Sequence, residues 1–438
     1  MIIAALLGAF LILFSAKAIY GIAFITAFRT LFLLARLPMG NYGYSAEGFL
    51  TLAIIGVGLV YVLLHREAFK GVFIWPFVIF LVWCVLTLIV AEDTTNYAKK
   101  LARLIGYFFL YLTVFHLSQD RSNRKILTGA FIVSALITVI PTVYVYHLAP
   151  EEYMRLVYGV EEGLSEVGIM PKNNFGFYCC YMLLFLVHLY SIGNFKSSKV
   201  LVVAVLAILA TGLVLSFTRT AWVGFVAALP VLILSCRHKA RLLAPILAVL
   251  LIAVSLFPIL RYGAYQDIFE KKEYGFSSFH FRVAYAWPAS IKAFQEKPTM
   301  GWGLGNDLYA ISHTTKLKYT SHSDYLLVLV ETGIVGLFLY LCLLGALFWR
   351  TISSIGASPD ERTRALCVSA LAVFVAYLVG SSGEHLLQTP GATGQMITIL
   401  AMAHGATRAA KGIKTSLVTV PKRLRCSTTS RGGNVLPI

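Results

Sequence analysis

SHSDYLLVLVETGIVGLFLYLCLLGALF, residues 321–348, sets a histidine directly ahead of an apolar run that carries Gly333 and Gly336. From Tyr325 to Phe348 the run has the length a helix needs to cross a bilayer, about 20 residues. A titratable side chain at the lip of such a span is costly unless it meets water or a polar partner. Histidine is also the side chain suited to taking a proton near neutral pH. About 40 residues upstream stands Arg282, and farther back Arg219, which follows another apolar run. One imidazole and two guanidinium groups near a membrane surface suit chemistry on an anionic, lipid-borne substrate.

Composition extends the first reading to the whole chain. Of 438 residues, 58% are hydrophobic and 13% charged, with a mean hydropathy of +0.77. Soluble domains carry roughly 25% charged residues. Continuous apolar runs, rather than alternating ones, exclude a β-barrel. The fold class is therefore all-α, a polytopic integral membrane protein. Hydropathy outlines spans at 1–16, 17–36, 47–64, 71–91, 101–117, 126–147, 173–193, 199–216, 220–235, 242–260, 325–348, 363–383 and 387–404. The first 36 residues read as one long tilted helix or two short ones, so 12 or 13 helices are expected. No basic n-region or small-residue cleavage site marks a removable signal peptide.

Basic residues orient the chain. Arg121, Arg124 and Lys125 share one short loop, Arg237, Lys239 and Arg241 another, and Arg350, Arg362 and Arg364 a third. These loops and the tail 405–438 fall on one face of the span order, which the positive-inside rule makes cytoplasmic. The transmembrane domain then covers 1–404, and the basic tail reads as disordered. The segment 148–172, rich in glutamate, lies on the opposite, outer face. So does 261–324, which breaks the rule with eight Lys or Arg. The net charge of +17 is largely topogenic, with the tail free to touch anionic lipid headgroups. No nucleic-acid motif accompanies it. The seven cysteines include no C-x-x-C and no Cys/His cluster with metal-ligand spacing, so neither disulfide nor metal is expected.

The outer loop 261–324 holds the functional signals. It is rich in Tyr, Phe and Trp, which anchor at membrane interfaces and also stack on sugar rings. Phe279 to Phe294 reads as an amphipathic helix, Lys297-Pro298 stops it, and Gly301-Trp302-Gly303-Leu304-Gly305-Asn306 is rich in turn residues. Several simpler roles compete. Arg219 could snorkel at the interface. Arg282 could pair with Glu273 or Asp307, and His322 could cap the helix after it. His280 and His313 are rival bases. Asp324 could orient the imidazole or favour the helix N-terminus. Lys172, with Asn173 and Asn174, follows the acidic loop and could assist donor binding or mark a boundary. Gly333 and Gly336 read as packing residues.

Three elements together resemble one family. His322-Ser323, nine residues and Gly333-Ile334-Val335-Gly336 match the H-[NSQ]-x9-G-x-x-G signature of the O-antigen ligase and polymerase superfamily. Ser216-Phe217-Thr218-Arg219-Thr220-Ala221 is similar to its S-x-S-R-T-A element, with Thr218 where serine is usual. Arg282, the helix after it, Lys297-Pro298 and Gly301 to Asn306 are similar to the R…P-x-x-G-x-G-x-N block before the family histidine. The resemblance covers roughly 200–340.

It implies a metal-independent, inverting glycosyltransferase of the bacterial inner membrane, needing no cofactor and acting at the periplasmic face. The donor would be a glycan on undecaprenyl diphosphate. The acceptor would be a sugar hydroxyl, on lipid A-core for a ligase or on a growing polysaccharide for an O-antigen or exopolysaccharide polymerase. Arg219 and Arg282 would hold the diphosphate and His322 would stand at the reacting centre. Asn306, Lys172 and Trp302 complete the candidate substrate-binding set. Membrane lipids are the remaining partners, and no nucleic acid is expected. An anion transporter is the remoter alternative, disfavoured because no internal repeat is evident and the key residues cluster at one surface. Reporter fusions at Ala310 and Val420 test the topology: opposite signals are expected, and matching signals refute the assignment.

Overall fold

The computed structural model describes residues 2–34, 46–69, 74–148, 166–167, 170–191, 199–235, 281–316 and 319–418. The expected span 242–260, the acidic residues of 148–172 from Glu151 to Glu162, residues 261–280 including Glu273 and His280, and 419–438 lie outside them. The remaining twelve expected spans each contain a helix. These are α1 (Ile2–Ala16), α2 (Ala18–Leu34), α3 (Ala46–Leu64), α4 (Trp75–Leu86), α5 (Thr94–Leu117) and α6 (Arg121–Leu148). There follow a two-residue antiparallel pair, β1 (Glu166–Val167) with β2 (Met170–Pro171), then α7 (Lys172–Ser191), α8 (Lys199–Leu215) and α9 (Arg219–Ser235). A π-helical turn, Arg282–Ala286, leads into the short α10 (Trp287–Glu296), and α11 (Asp307–Thr315) is also short. The chain then continues through α12 (Asp324–Gly356), α13 (Glu361–Gly380) and α14 (Pro390–Val418). The first 36 residues thus resolve into two helices, broken at Lys17. Residues 405–418, expected in the tail, continue α14.

Six of these helices (α3, α5, α6, α7, α12 and α13) are long and apolar enough to cross a membrane, and five shorter apolar helices accompany them. The protein is an all-α polytopic membrane protein. Its centre is α7, whose residues from Phe175 to Leu189 are buried on every side. A helix hydrophobic all round belongs inside a bundle. Here α8, α9, α13 and α14 pack against it. Gly176 lets α7 approach the turn before α9, where an added Cβ would stand 2.6 Å from Thr218 Cβ.

The motif-bearing run 324–356 is not one continuous helix. Gly333 breaks it with φ 69° and ψ −171°. That region is open essentially to glycine alone. A break inside a membrane leaves backbone groups that the protein itself must satisfy. It does so with the upstream loop. Val330 O accepts from Trp302 N and Glu331 O from Gly303 N, each at 2.9 Å. Thr332 O accepts from the indole N–H of Trp83 at 2.9 Å, and Ile334 N donates to Pro298 O at 2.9 Å. Gly336 makes room chiefly for the Thr332 side chain, with which a Cβ there would collide, and then for that indole, 3.0 Å away at Trp83 Nε1. The two glycines read as packing residues are therefore a backbone break and the clearance beside it.

Gly301, Gly303 and Gly305 all have positive φ, as the turn-rich reading of 301–306 requires. Together these contacts clamp the segment 297–306 onto α12. Gly333→Ala is expected to destabilise the protein by about 1–3 kcal/mol from backbone strain alone, with a further cost where its Cβ meets the Thr299 carbonyl. Thermal unfolding in detergent measures this, and a melting temperature equal to wild type refutes the break.

Candidate functional site

The site assembles where α13 turns into α14. Asp324, the first residue of α12 and fully buried, accepts from Ser381 Oγ at 2.8 Å and from Leu387 N at 3.0 and 3.1 Å. Its own N–H donates to Ser381 O at 2.9 Å. Of the two roles expected for Asp324, orienting the imidazole or favouring the helix N-terminus, its place in the first turn of α12 fits the second, and its hydrogen bonds add a third. It pins the turn 381–387 against the segment that carries His322.

On that turn stand Glu384 and His385. Glu384 Oε1 accepts from Arg282 Nη2 at 2.6 Å and from Thr220 Oγ1 at 3.3 Å, and Oε2 accepts from Asn173 Nδ2 at 2.6 Å. The ion-pair partner of Arg282 is thus Glu384, and not Asp307. Asp307 instead pairs with Lys100 at 3.4 Å, and Lys100 also contacts Glu331. His385 Nε2 lies 3.2 Å from Ser321 Oγ. Its ring is 5.5 Å from that of His322, which also meets the Phe281 ring edge-to-face at 6.5 Å.

His322 sits in the left-handed region, φ 49°, unusual for a residue with a Cβ. Burial lowers its pKa below the ordinary imidazole value, the Arg282 charge lowers it further, and Asp307 partly opposes them. Burial likewise pushes His385 down to about 3. A neutral imidazole at pH 7 can accept a proton, which an imidazolium cannot.

The element around Arg219 is also explained locally. Ser216 Oγ donates to Leu213 O at 2.7 Å and accepts from Thr218 N at 3.2 Å, which shapes the turn between α8 and α9. Phe217 passes through it with φ 50°. Ala221 is buried, Thr220 reaches Glu384, and Arg219 is the exposed first residue of α9. The helix starts of α7 and α9, Arg282, His322 and the 381–387 turn therefore share one end of the bundle. At the other end, Arg350 and Arg408 both lie over the Phe115 ring, at 6.0 and 5.9 Å.

The other candidates sit in the scaffold. Asn306 is buried; its Oδ1 accepts from Asp93 N at 2.7 Å, which ties the glycine turn to the start of α5. Trp302 is 4% exposed, its indole N–H donates to Ala293 O at 2.8 Å, and Lys297 Nζ lies 4.1 Å over its ring. As placed, neither side chain presents a face to a ligand. Lys172 opens α7, and its side chain lies outside the described residues. His313 is exposed and stacks on Tyr309 at 5.9 Å. Glu384 and His385 escaped the sequence reading. The available signal was a carboxylate and an imidazole interrupting an apolar stretch at the junction of two spans.

A polytopic helical membrane protein with cationic and imidazole groups gathered at one end is the class that fold and site define. Residues 204–341 match the family model described as O-antigen ligase, which puts this stretch of the chain in the O-antigen ligase superfamily. No curated protein matches the chain significantly. The matched stretch contains Arg219, Arg282 and His322, whereas Asn173, Glu384 and His385 reach the same site from outside it. With its pKa lowered, His322 is expected to titrate below about 6.5, the free imidazole value. Arg282→Gln removes one cause of the lowering and should move the midpoint up. Histidine-labelled NMR across pH 4–8 reads both; a midpoint at or above the free value overturns this account.

Proposed function

We propose that the chain transfers a glycan from undecaprenyl diphosphate to a sugar hydroxyl on lipid A-core, as an O-antigen ligase of the inner membrane acting at its periplasmic face. The observation that carries this reading is the meeting of Arg282, His322 and the start of α9 at one end of a ligase-type domain.

The chemistry needs what these residues offer. The acceptor oxygen attacks the anomeric carbon from the side opposite the diphosphate, so configuration inverts. The bond from that carbon to the phosphate oxygen breaks, and its electron pair leaves with the lipid diphosphate. The growing negative charge is met by guanidinium groups, whose planar forks match phosphate geometry. The acceptor proton passes to neutral His322, which later releases it to solvent. Because the donor is already activated, no nucleotide is required and the step proceeds without a metal ion. Charges gathered at helix ends rather than at mid-membrane favour a transferase over an anion carrier.

Arg219→Lys keeps the charge and loses the fork, and His322→Ala removes the base. Each is expected to lower transfer by about 100- to 1000-fold in a normally inserted protein. Lys316→Ala, at an exposed helix end, should transfer like wild type. Purified protein is assayed with lipid-linked donor, with and without chelator, against lipid A-core and against lipid-linked repeat units. Full activity of both variants, or loss of wild-type activity on chelation, overturns the scheme. Transfer to repeat units alone makes the enzyme a polymerase.

A further inference from the structure

Arg282 is held before any substrate arrives. Glu384, 5% exposed, grips Nη2 at 2.6 Å while binding Thr220 at the start of α9 and Asn173 at the start of α7. Gly383 keeps this junction tight, since an added Cβ would lie 3.0 Å from Thr220 Cγ2 and 3.4 Å from Arg282 Nη1. The turn itself is fastened by Asp324. One carboxylate therefore ties to its turn three elements that lie 102, 164 and 211 residues before it in the chain.

We propose that Glu384 is a positioning residue that aims Arg282 at the diphosphate of the donor, an inference that rests on the glycosyltransfer reading above. A long arginine at a membrane boundary would otherwise extend toward the headgroups, and its freedom would be lost only on binding. A guanidinium has five N–H donors. The single ion pair with Glu384 engages one of its nitrogens, and the side chain keeps 12% exposure. Glu384 need not leave when phosphate binds, because Asn173 and Thr220 hold it independently of Arg282. The cation is then shared between a fixed carboxylate on one side and the diphosphate on the other. Arg219, next to Thr220, adds a second positive charge that offsets the repulsion between the two anions.

The test uses the full-length chain in lipid nanodiscs, with farnesyl diphosphate as the probe and its affinity as the readout. Glu384→Gln keeps the shape and removes the charge, and it should weaken binding about tenfold or more, while the KM for acceptor stays unchanged. Asn173→Ala should weaken it in the same direction by less. Because Glu384 acts through Arg282, the double variant Arg282→Lys with Glu384→Gln should bind no more weakly than Arg282→Lys alone. Unchanged or tighter binding in Glu384→Gln, or additive losses in the double variant, overturns the role of Glu384 alone. If Glu384→Gln does not insert, Asn173→Ala decides, and wild-type affinity in it overturns the proposal. A wild-type chain that binds no farnesyl diphosphate removes the glycosyltransfer reading, and this proposal with it.

Discussion

A buried carboxyl group has to be given hydrogen-bond partners by the protein around it, and Asp324 obtains them from a part of the chain 57 to 63 residues away. Ser381 and the backbone of Leu387 supply those partners, which fixes the turn between α13 and α14 beside His322. The polar contacts of Glu384 and His385 depend on that fixation. Glu384 and His385 occupy the turn, Arg282 and Asn173 attach to Glu384, and Ser321 attaches to His385. Leaving a buried hydrogen-bonding group without its partner costs about 1–3 kcal/mol, more than losing a surface pair. Asp324 is thus more consequential for the arrangement than its place outside the candidate catalytic set suggests.

The central helix supplies the second constraint. Helix α7 is enclosed by its neighbours, so its height and rotation are determined by packing rather than by lipid. Asn173, at its first turn, is consequently presented to Glu384 from a rigid support. The short α10 and α11 are anchored differently, through the glycine turn at 301–306 and the buried Trp302. Sites on rigid elements hold their geometry better than sites on free loops.

Much of this was legible in the residues. Apolar length revealed the helices, and the spacing of Lys297-Pro298 and the three glycines marked the stop and the turns. The gap between the expected spans 199–216 and 220–235 falls where the chain turns into α9. Nearness in sequence offers Glu273 and Asp307 as partners for Arg282, whereas the fold brings it Glu384 from 102 residues along the chain. Gly333 reads as a close-packing residue in an apolar run, since no local feature distinguishes a tolerated glycine from a backbone break. Trp302 and Asn306 carry residue types that bind sugars, and only their burial reveals that neighbouring backbone already occupies them. Hydropathy treats 384–386 as a mere turn, although it holds two of the most connected side chains at the site.

The break at Gly333 also bears on how the chain is made. Until 298–303 docks, the carbonyls of Val330 and Glu331 and the N–H of Ile334 lack the partners that this loop gives them in a membrane-spanning helix. An unsatisfied backbone group there costs several kcal/mol. The part of α12 around Gly333 therefore cannot settle into the bilayer as an independent inserted segment during synthesis. It must wait for the preceding segment to fold across it, so membrane integration and assembly of the candidate site are coupled events.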